Sequence, residues 1–335
     1  MLYLSTRSRT DSYTAHRALF EERTPDGGLY VPFQLPRFSA EEIRHLKSKS
    51  FSENVANILN LFFSSNLSSW DVEFSCGRYP IKQIALPHRL HVIEMWRNAT
   101  SDFAQIEQAL YDKLTATRNS LPRCGWARIA IDIAMLFAVY GEMATADTGL
   151  SLDIAVDTDA FTVPIAAWYA KQMGLPIGSV ICGTYNHGCV WDLIHLGTIS
   201  TAVQTNELVG IERLIFLTLG ADEALRYAAC CQERRPYHLE AAQRDILSQG
   251  FFAAVVSKDR LVSLISNFYR SREYILDFVS AISFCALQDY RARTGESKHT
   301  LIMSMISPMR NTDIMTGLLG ITASELECSV NKQRG

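Results

Sequence analysis

Apolar residues recur at helical spacing in several separate stretches of the chain. Val55, Ile58, Leu59, Phe62 and Phe63 fall on one face of residues 51–64, and Phe103, Ile106, Leu110 and Leu114 form a stripe along 102–117; steps of three and four predict amphipathic helices. Ser39-Ala40-Glu41-Glu42 reads as a capping box opening a helix over 40–48. Further helices are predicted over 127–142, over 164–173 with Gly174 ending it, and over 207–219, 222–234, 238–248, 258–270 and 276–293. Between them, short apolar blocks at 91–96, 152–156, 177–183, 251–256 and 300–306 read as strands. Strands and helices alternating at these lengths predict an α/β protein with a parallel sheet.

The first 89 residues differ from the rest, mixing turns with helices. Thr24-Pro25-Asp26-Gly27-Gly28 is a turn, because proline presets φ and glycine permits positive φ, and Leu29–Pro32 leaves it as an extended segment. Linker-like stretches occur near Thr145–Gly149 and Thr294–Ser297, and no repeat or low-complexity segment stands out. A division into an N-terminal domain, 1–89, and a core domain, 90–335, is expected.

Composition narrows the function classes. The chain has 335 residues, 48% of them hydrophobic, and a formal net charge of −3, so it offers no broad positive field for nucleic acid. Its longest apolar run, Ile133–Tyr140, is eight residues, far below the ~18 of a membrane span. Polar residues stand where a signal peptide would carry its apolar stretch, and eight cysteines show no CxxC pair; a cytoplasmic protein with reduced thiols and no metal site is expected.

A search for chemistry by motif gives little. Neither a GxGxxG nor a GxxxxGK[ST] loop is present. Asp157 and Asp159 follow a strand end, where open α/β sheets tend to bind ligands. Asn186-His187-Gly188-Cys189 follows another strand end and holds half of a nucleophilic or metal site, whereas His195, sharing a helix with Trp191, reads as a helix-face residue. Arg97, Arg128 and Arg310 lie at element ends, where a guanidinium can clamp a carboxylate or phosphate or make a structural bridge.

Read end to end, the chain resembles threonine synthase, an enzyme of the fold-type II class that uses pyridoxal phosphate (PLP). The resemblance rests on Tyr3-x-Ser5-Thr6-Arg7, Pro25-Asp26-Gly27-Gly28-Leu29-Tyr30-Val31-Pro32 and Leu35-Pro36, then Trp126-Ala127-Arg128-Ile129, Tyr169-Ala170-Lys171-Gln172-Met173-Gly174-Leu175-Pro176-Ile177, Tyr274-Ile275-Leu276-Asp277 and Ser304-x-x-x-Pro308. It implies a three-layer fold around a parallel sheet, like that of tryptophan synthase β, with a small α/β N-terminal domain. It also implies losses. The family's Schiff-base lysine falls at Ala104, within Glu94-Met95-Trp96-Arg97-Asn98-Ala99-Thr100-Ser101-Asp102-Phe103-Ala104-Gln105, and a methyl group forms no imine. The phosphate-binding Gly-Asn-Phe-Gly loop corresponds to Asp159-Ala160-Phe161-Thr162, without either glycine, and the residue that meets the pyridine nitrogen corresponds to Met305, whose thioether donates no hydrogen bond. Between Ala104 and Asn119 there is room for about one helix, where the family holds a whole lobe including its Ser-Gly-Asp-Thr-Gly loop.

The leading expectation is therefore a threonine synthase-like protein, with one lobe deleted and PLP lost, that binds a small amino-acid-like ligand or serves beside a companion chain or a second copy of itself. A cofactor-independent lyase, cyclase or acyl-transfer enzyme reusing the residual cleft stands beside it, with Arg97, Asp102, Asp159, Asn186 and His187 as its groups. A third reading, PLP chemistry through a displaced lysine, depends on Lys113, nine positions beyond Ala104 and ~13 Å along the helix axis.

Overall fold

A computed structural model describes residues 1–76, 81–86, 89–96, 102–144, 150–158, 161–202 and 205–334. Arg97, Asn98, Ala99, Thr100, Ser101, Asp159, Ala160 and the stretch 145–149 lie outside the described residues. The chain opens with β1 (Leu2–Ser5), β2 (Ser8–Thr14), α1 (Ala15–Phe20), β3 (Tyr30–Pro32), α2 (Ala40–His45), α3 (Phe51–Phe63) and α4 (Ser69–Cys76). There follow β4 (Ile81–Leu86), β5 (Leu90–Glu94), α5 (Phe103–Thr115), α6 (Trp126–Met143), β6 (Leu152–Asp157), α7 (Thr162–Gln172), β7 (Ile177–Tyr185) and α8 (Cys189–His195). The remainder is β8 (Thr198–Ile199), α9 (Asn206–Leu219), α10 (Ala221–Glu233), β9 (Tyr237–His238), α11 (Ala241–Ser248), β10 (Phe251–Val256), α12 (Lys258–Arg272), α13 (Phe278–Thr294), β11 (His299–Ser304), α14 (Thr312–Leu319) and α15 (Ala323–Arg334).

The predicted capping box at Ser39 forms, and a second one, not foreseen, opens the helix after Ser50. Ser39 and Ser50 each accept from the amide three residues on while Glu42 and Glu53 reach back, which starts α2 and α3. The predicted helix over 238–248 begins later, at Ala241, because Tyr237–His238 pair with Thr198–Ile199 in a two-stranded ribbon. The strand expected over 300–306 stops at Ser304. Beyond it the chain turns to Asp102 and Phe103: Asp102 bridges Ile306, and the Phe103 amide donates to the Met305 carbonyl at 2.8 Å.

The main sheet has six strands in the order β10-β7-β6-β11-β5-β4; all are parallel except β4, which runs antiparallel at the edge. Successive strand residues alternate between two cores, as a pleat demands. Leu152, Ile154 and Val156 of β6 and Leu301 and Met303 of β11 face one core with α6 and α7. Ala155, Ile302 and Ile181 face the other with α12, α13 and α15. Chain order reverses between β6 and β11, which places a crevice at their carboxyl ends where open α/β sheets take ligands.

Helix α6 is the axis of the first core: of its residues from Trp126 to Met143, only Arg128 and Glu142 are not buried. The turn at Leu46–Ser48, ahead of α3, packs so closely on it that a Cβ at Gly141 would stand 2.9 Å from the Leu46 carbonyl oxygen, so glycine is required there. The N-terminal residues share this core, with Tyr3, Ala18 and Tyr30 packed in the same cluster as Ile129 and Phe137. Strand β4, ahead of the boundary expected at residue 89, belongs to the main sheet.

The N-terminal signature is explained by its bonds. Asp26 Oδ1 accepts from the Ser5 hydroxyl at 2.9 Å and the Gly28 amide at 3.0 Å, closing the turn against β1. Thr6 Oγ1 donates to Glu212 Oε1 at 2.6 Å, and Arg7 makes a fork to both Glu212 oxygens at 3.0 and 2.8 Å. With the Glu212 side chain 4% exposed, this pins β1 to α9 across the whole chain. Breaking a buried pair strands its partner, so Glu212→Ala is expected to cost about 3 kcal/mol in urea unfolding. Arg17→Ala, whose partner Glu21 is 38% exposed, is expected to cost no more than about 0.5 kcal/mol.

Candidate functional site

A cavity of about 220 Å³ lies at the crevice, lined by the starts of α5, α6 and α7, the end of β6, Val279 of α13 and Met305-Ile306 beyond β11. Ala104 is exposed on the opening turn of α5. Asp102 caps that helix through the Gln105 amide at 3.2 Å and stands 3.4 Å from Arg310 Nη2. Phe161, 1% exposed with φ of 53°, precedes α7 and puts its side chain into the lining, followed by Thr162. Met305 closes the side by β11.

Beneath these residues Arg128, one of the candidate clamps, meets two acids that the sequence did not single out, Glu107 and Asp132. Arg128 donates through Nη1 to Glu107 Oε2, and Asp132 lies one turn beyond Arg128 on the same face of α6. Glu107 is 4% exposed and Asp132 1%. Neither oxygen of Asp132 accepts a hydrogen bond, and Arg128 Nε has no acceptor. Burial pushes both carboxyl groups well above the usual carboxylate range; the Asp132 charge raises Glu107 further, while Arg128 pulls both back down and Thr162 softens the shift at Asp132. The signal was in the sequence: a lone acid interrupts the apolar run of α6 four residues after an arginine.

A second cavity, of about 890 Å³, adjoins the first through Asp157 and Val279 and runs along the ends of β6 and β7. His187 lines it but is 74% exposed, 2.9 Å from Asp192. Asn186 is exposed on the same loop, its backbone left-handed at φ of 61°. Glu207 accepts from the Cys189 and Val190 amides at 3.1 and 3.2 Å, filling the start of α8 with a carboxylate of the chain's own. Burial beside that carboxylate pushes the Cys189 thiol up to about 12, so it stays protonated and is no nucleophile at neutral pH. His195 bonds the Ala253 carbonyl at 2.9 Å as a helix-face residue.

Of the residues singled out from the sequence, the structure thus gathers Asp102, Ala104, Phe161, Thr162 and Met305 around one cavity and puts His187 on the neighbouring one; Arg97, Asp159 and Ala160 lie outside the described residues. Lys113 faces away, 3.3 Å from Asp71 and over the Phe74 ring, in a separate hollow. Lys171 donates to the Gly178 carbonyl at 2.5 Å. Among the described residues no lysine lines the 220 Å³ cavity.

Comparison with known proteins agrees with this architecture. Residues 2–77 match the family described as Threonine synthase N terminus. Threonine synthase-like 2 of Mus musculus is 31% identical over 115 residues, 32% of this chain and 24% of that protein. Threonine synthase from Brucella melitensis, solved with PLP bound, superposes with a TM-score of 0.81 at 18% identity, covering 99% of this chain and 94% of that one. The chain is a relative of the threonine synthases. It shares their fold, as the yeast enzyme also shows with a TM-score of 0.79 at 16% identity, over 98% and 94% of the two chains. Threonine synthase-like 1 of Homo sapiens is 25% identical over 199 residues, 55% of this chain. The matched stretches span about a quarter of these curated relatives, 26% and 24% of their lengths.

In this threonine synthase relative, folding raises the proton affinity of Glu107 and Asp132 above that of an unfolded carboxyl, near 4. The stabilisation carried by those protons is full below that value and fades as pH rises toward and through neutrality. Urea unfolding of Asp132→Asn beside the wild type should therefore show the balance moving toward the variant by more than about 1 kcal/mol between about pH 5 and pH 8. A difference independent of pH would contradict the buried charge.

Proposed function

We propose that this threonine synthase relative has lost PLP-dependent catalysis and uses the remaining cleft to bind a small ligand. The observation that carries the reading is the composition of the cavity wall: Ala104 where the resemblance implies the Schiff-base lysine, and no lysine elsewhere in the lining among the described residues. The remaining donors do not fit PLP. A phosphate dianion would face Asp102, Glu107, Asp132 and Asp157, with Arg128 already engaged by Glu107. Thr162, at the cavity wall, stands where the resemblance implies the second glycine of the phosphate loop, so a Cβ meets the approach to the backbone there, and Met305 offers a thioether. Eight free cysteines suit a reducing, cytoplasmic setting. Among the described residues no helix is long and apolar enough to cross a membrane.

A second reading draws support from Glu107 and Asp132. Two carboxyl groups with raised pKa around one arginine resemble a general acid and base, so a cofactor-independent enzyme would work through them rather than through His187.

Incubation with PLP, borohydride reduction and peptide mapping should find no pyridoxyl-lysine, and phosphohomoserine should not be converted; stoichiometric labelling of Lys113 would overturn the reading. Phe33, Trp70 and Phe74 are 65%, 79% and 77% exposed, and a second copy or companion chain is proposed to cover them. Size-exclusion chromatography should then show a species larger than the 37.6 kDa monomer; a clean monomer at micromolar concentration would argue against self-association.

A further inference from the structure

Asp132 is 1% exposed in a helix buried almost throughout, and neither of its oxygens makes a hydrogen bond of normal geometry; Thr162 and the Arg128 charge ease its burial only in part. An unpaired carboxylate in such a place costs several kcal/mol, so without a partner the group keeps its proton, and a cation at hand would let it ionise. Arg128 does not resolve it, because its Nη1 goes to Glu107 and its Nε points at no acceptor. The side chain lines the 220 Å³ cavity, so the missing partner has a place to enter.

The chemistry of the walls selects the class of that partner. Of the four carboxyl groups in the lining, Asp102 is met by Arg310 and Glu107 by Arg128, which leaves Asp132 as the buried acid that makes no hydrogen bond, and a cation would meet it. A metal ion needs several hard ligands converging on one point, and among the described residues no group of three or more His, Cys, Asp or Glu does so. Phe161, Val279, Met305 and Ile306 supply an apolar wall opposite the acids. A primary ammonium satisfies both halves: it brings three N–H donors for Asp132 and Glu107, and its carbon chain is buried against the wall. The volume has room for roughly seven water-sized atoms, which suits a short alkylamine.

We infer that this cavity binds a primary ammonium ligand with a short apolar body, its nitrogen on Asp132 and Glu107 and its carbons against Phe161, Val279 and Met305. The inference rests on the reading of the cleft as a ligand site and names the ligand class.

The test is titration of the full-length protein, without PLP, with n-butylammonium, n-butanol and butyrate, followed by NMR chemical shifts. Butylammonium should bind at one site at least tenfold more tightly than the other two probes, and Asp132→Asn should weaken it at least tenfold. Ala104→Phe, on an exposed position at the cavity, should block the probe without touching the buried acids, and it carries the test if Asp132→Asn does not fold. Equal binding of butanol, binding unchanged in both variants, or no butylammonium binding up to about 0.1 M, well above the millimolar range of weak complexes, would overturn the inference. Covalent labelling by PLP in the parallel reduction would instead overturn the reading of the cleft, so the two failures are told apart.

Discussion

Helix α6 is enclosed on almost every side, and that enclosure governs the rest of the molecule. Helices α3 and α7, the first turns of the N-terminal region and one face of the main sheet all pack against it. A helix so placed has no solvent face on which to discard charge. Arg128 and Asp132 must therefore meet other side chains or a cavity. Arg128 meets Glu107 of α5; Asp132 meets the cavity. The same packing that stabilises the core thus leaves a carboxyl group short of a partner at the point where the sheet order reverses.

Position and chemistry come from different sources. The parallel sheet and its reversal between β6 and β11 put a crevice at the strand ends whatever residues line it. The pairing of Asp102-Phe103 with Met305-Ile306 then fixes the start of α5 beside that crevice. Within this frame the lining combines carboxyl groups with an apolar wall, and on that composition the proposed loss of PLP rests. Fold and site chemistry are separable in this relative, and its likeness to solved threonine synthases speaks to the fold.

Much of the frame was legible in the chain. The five parallel strands follow from apolar blocks bounded by turn residues, and strand 251–256 is found where its pattern places it. The capping box at Ser39 announces its helix because capping chemistry is local, while α3 was legible from its apolar face. Strands β1 and β2 and helix α4 were not foreseen; in α4 apolar and polar residues are spread around the axis, so no face declares itself. The site was only partly legible. Asp102, Ala104, Phe161, Thr162 and Met305 were reached through resemblance, whereas Glu107 and Asp132 were missed because their meaning depends on burial and on a neighbour from another helix. Asn186 and His187 looked chemical in sequence but stand exposed on a loop, beside a cysteine that burial keeps protonated.

The central claim is that the cleft floor holds two carboxyl groups for one arginine. Infrared difference spectroscopy at neutral pH measures this directly, since a protonated carboxyl group has a carbonyl stretch that a carboxylate lacks. The account predicts a protonated-carboxyl band in the ligand-free wild type that is removed or shifted by both Glu107→Gln and Asp132→Asn. A wild-type spectrum whose protonated-carboxyl region is unchanged by either substitution would mean that both groups are ionised and otherwise compensated, and would contradict it.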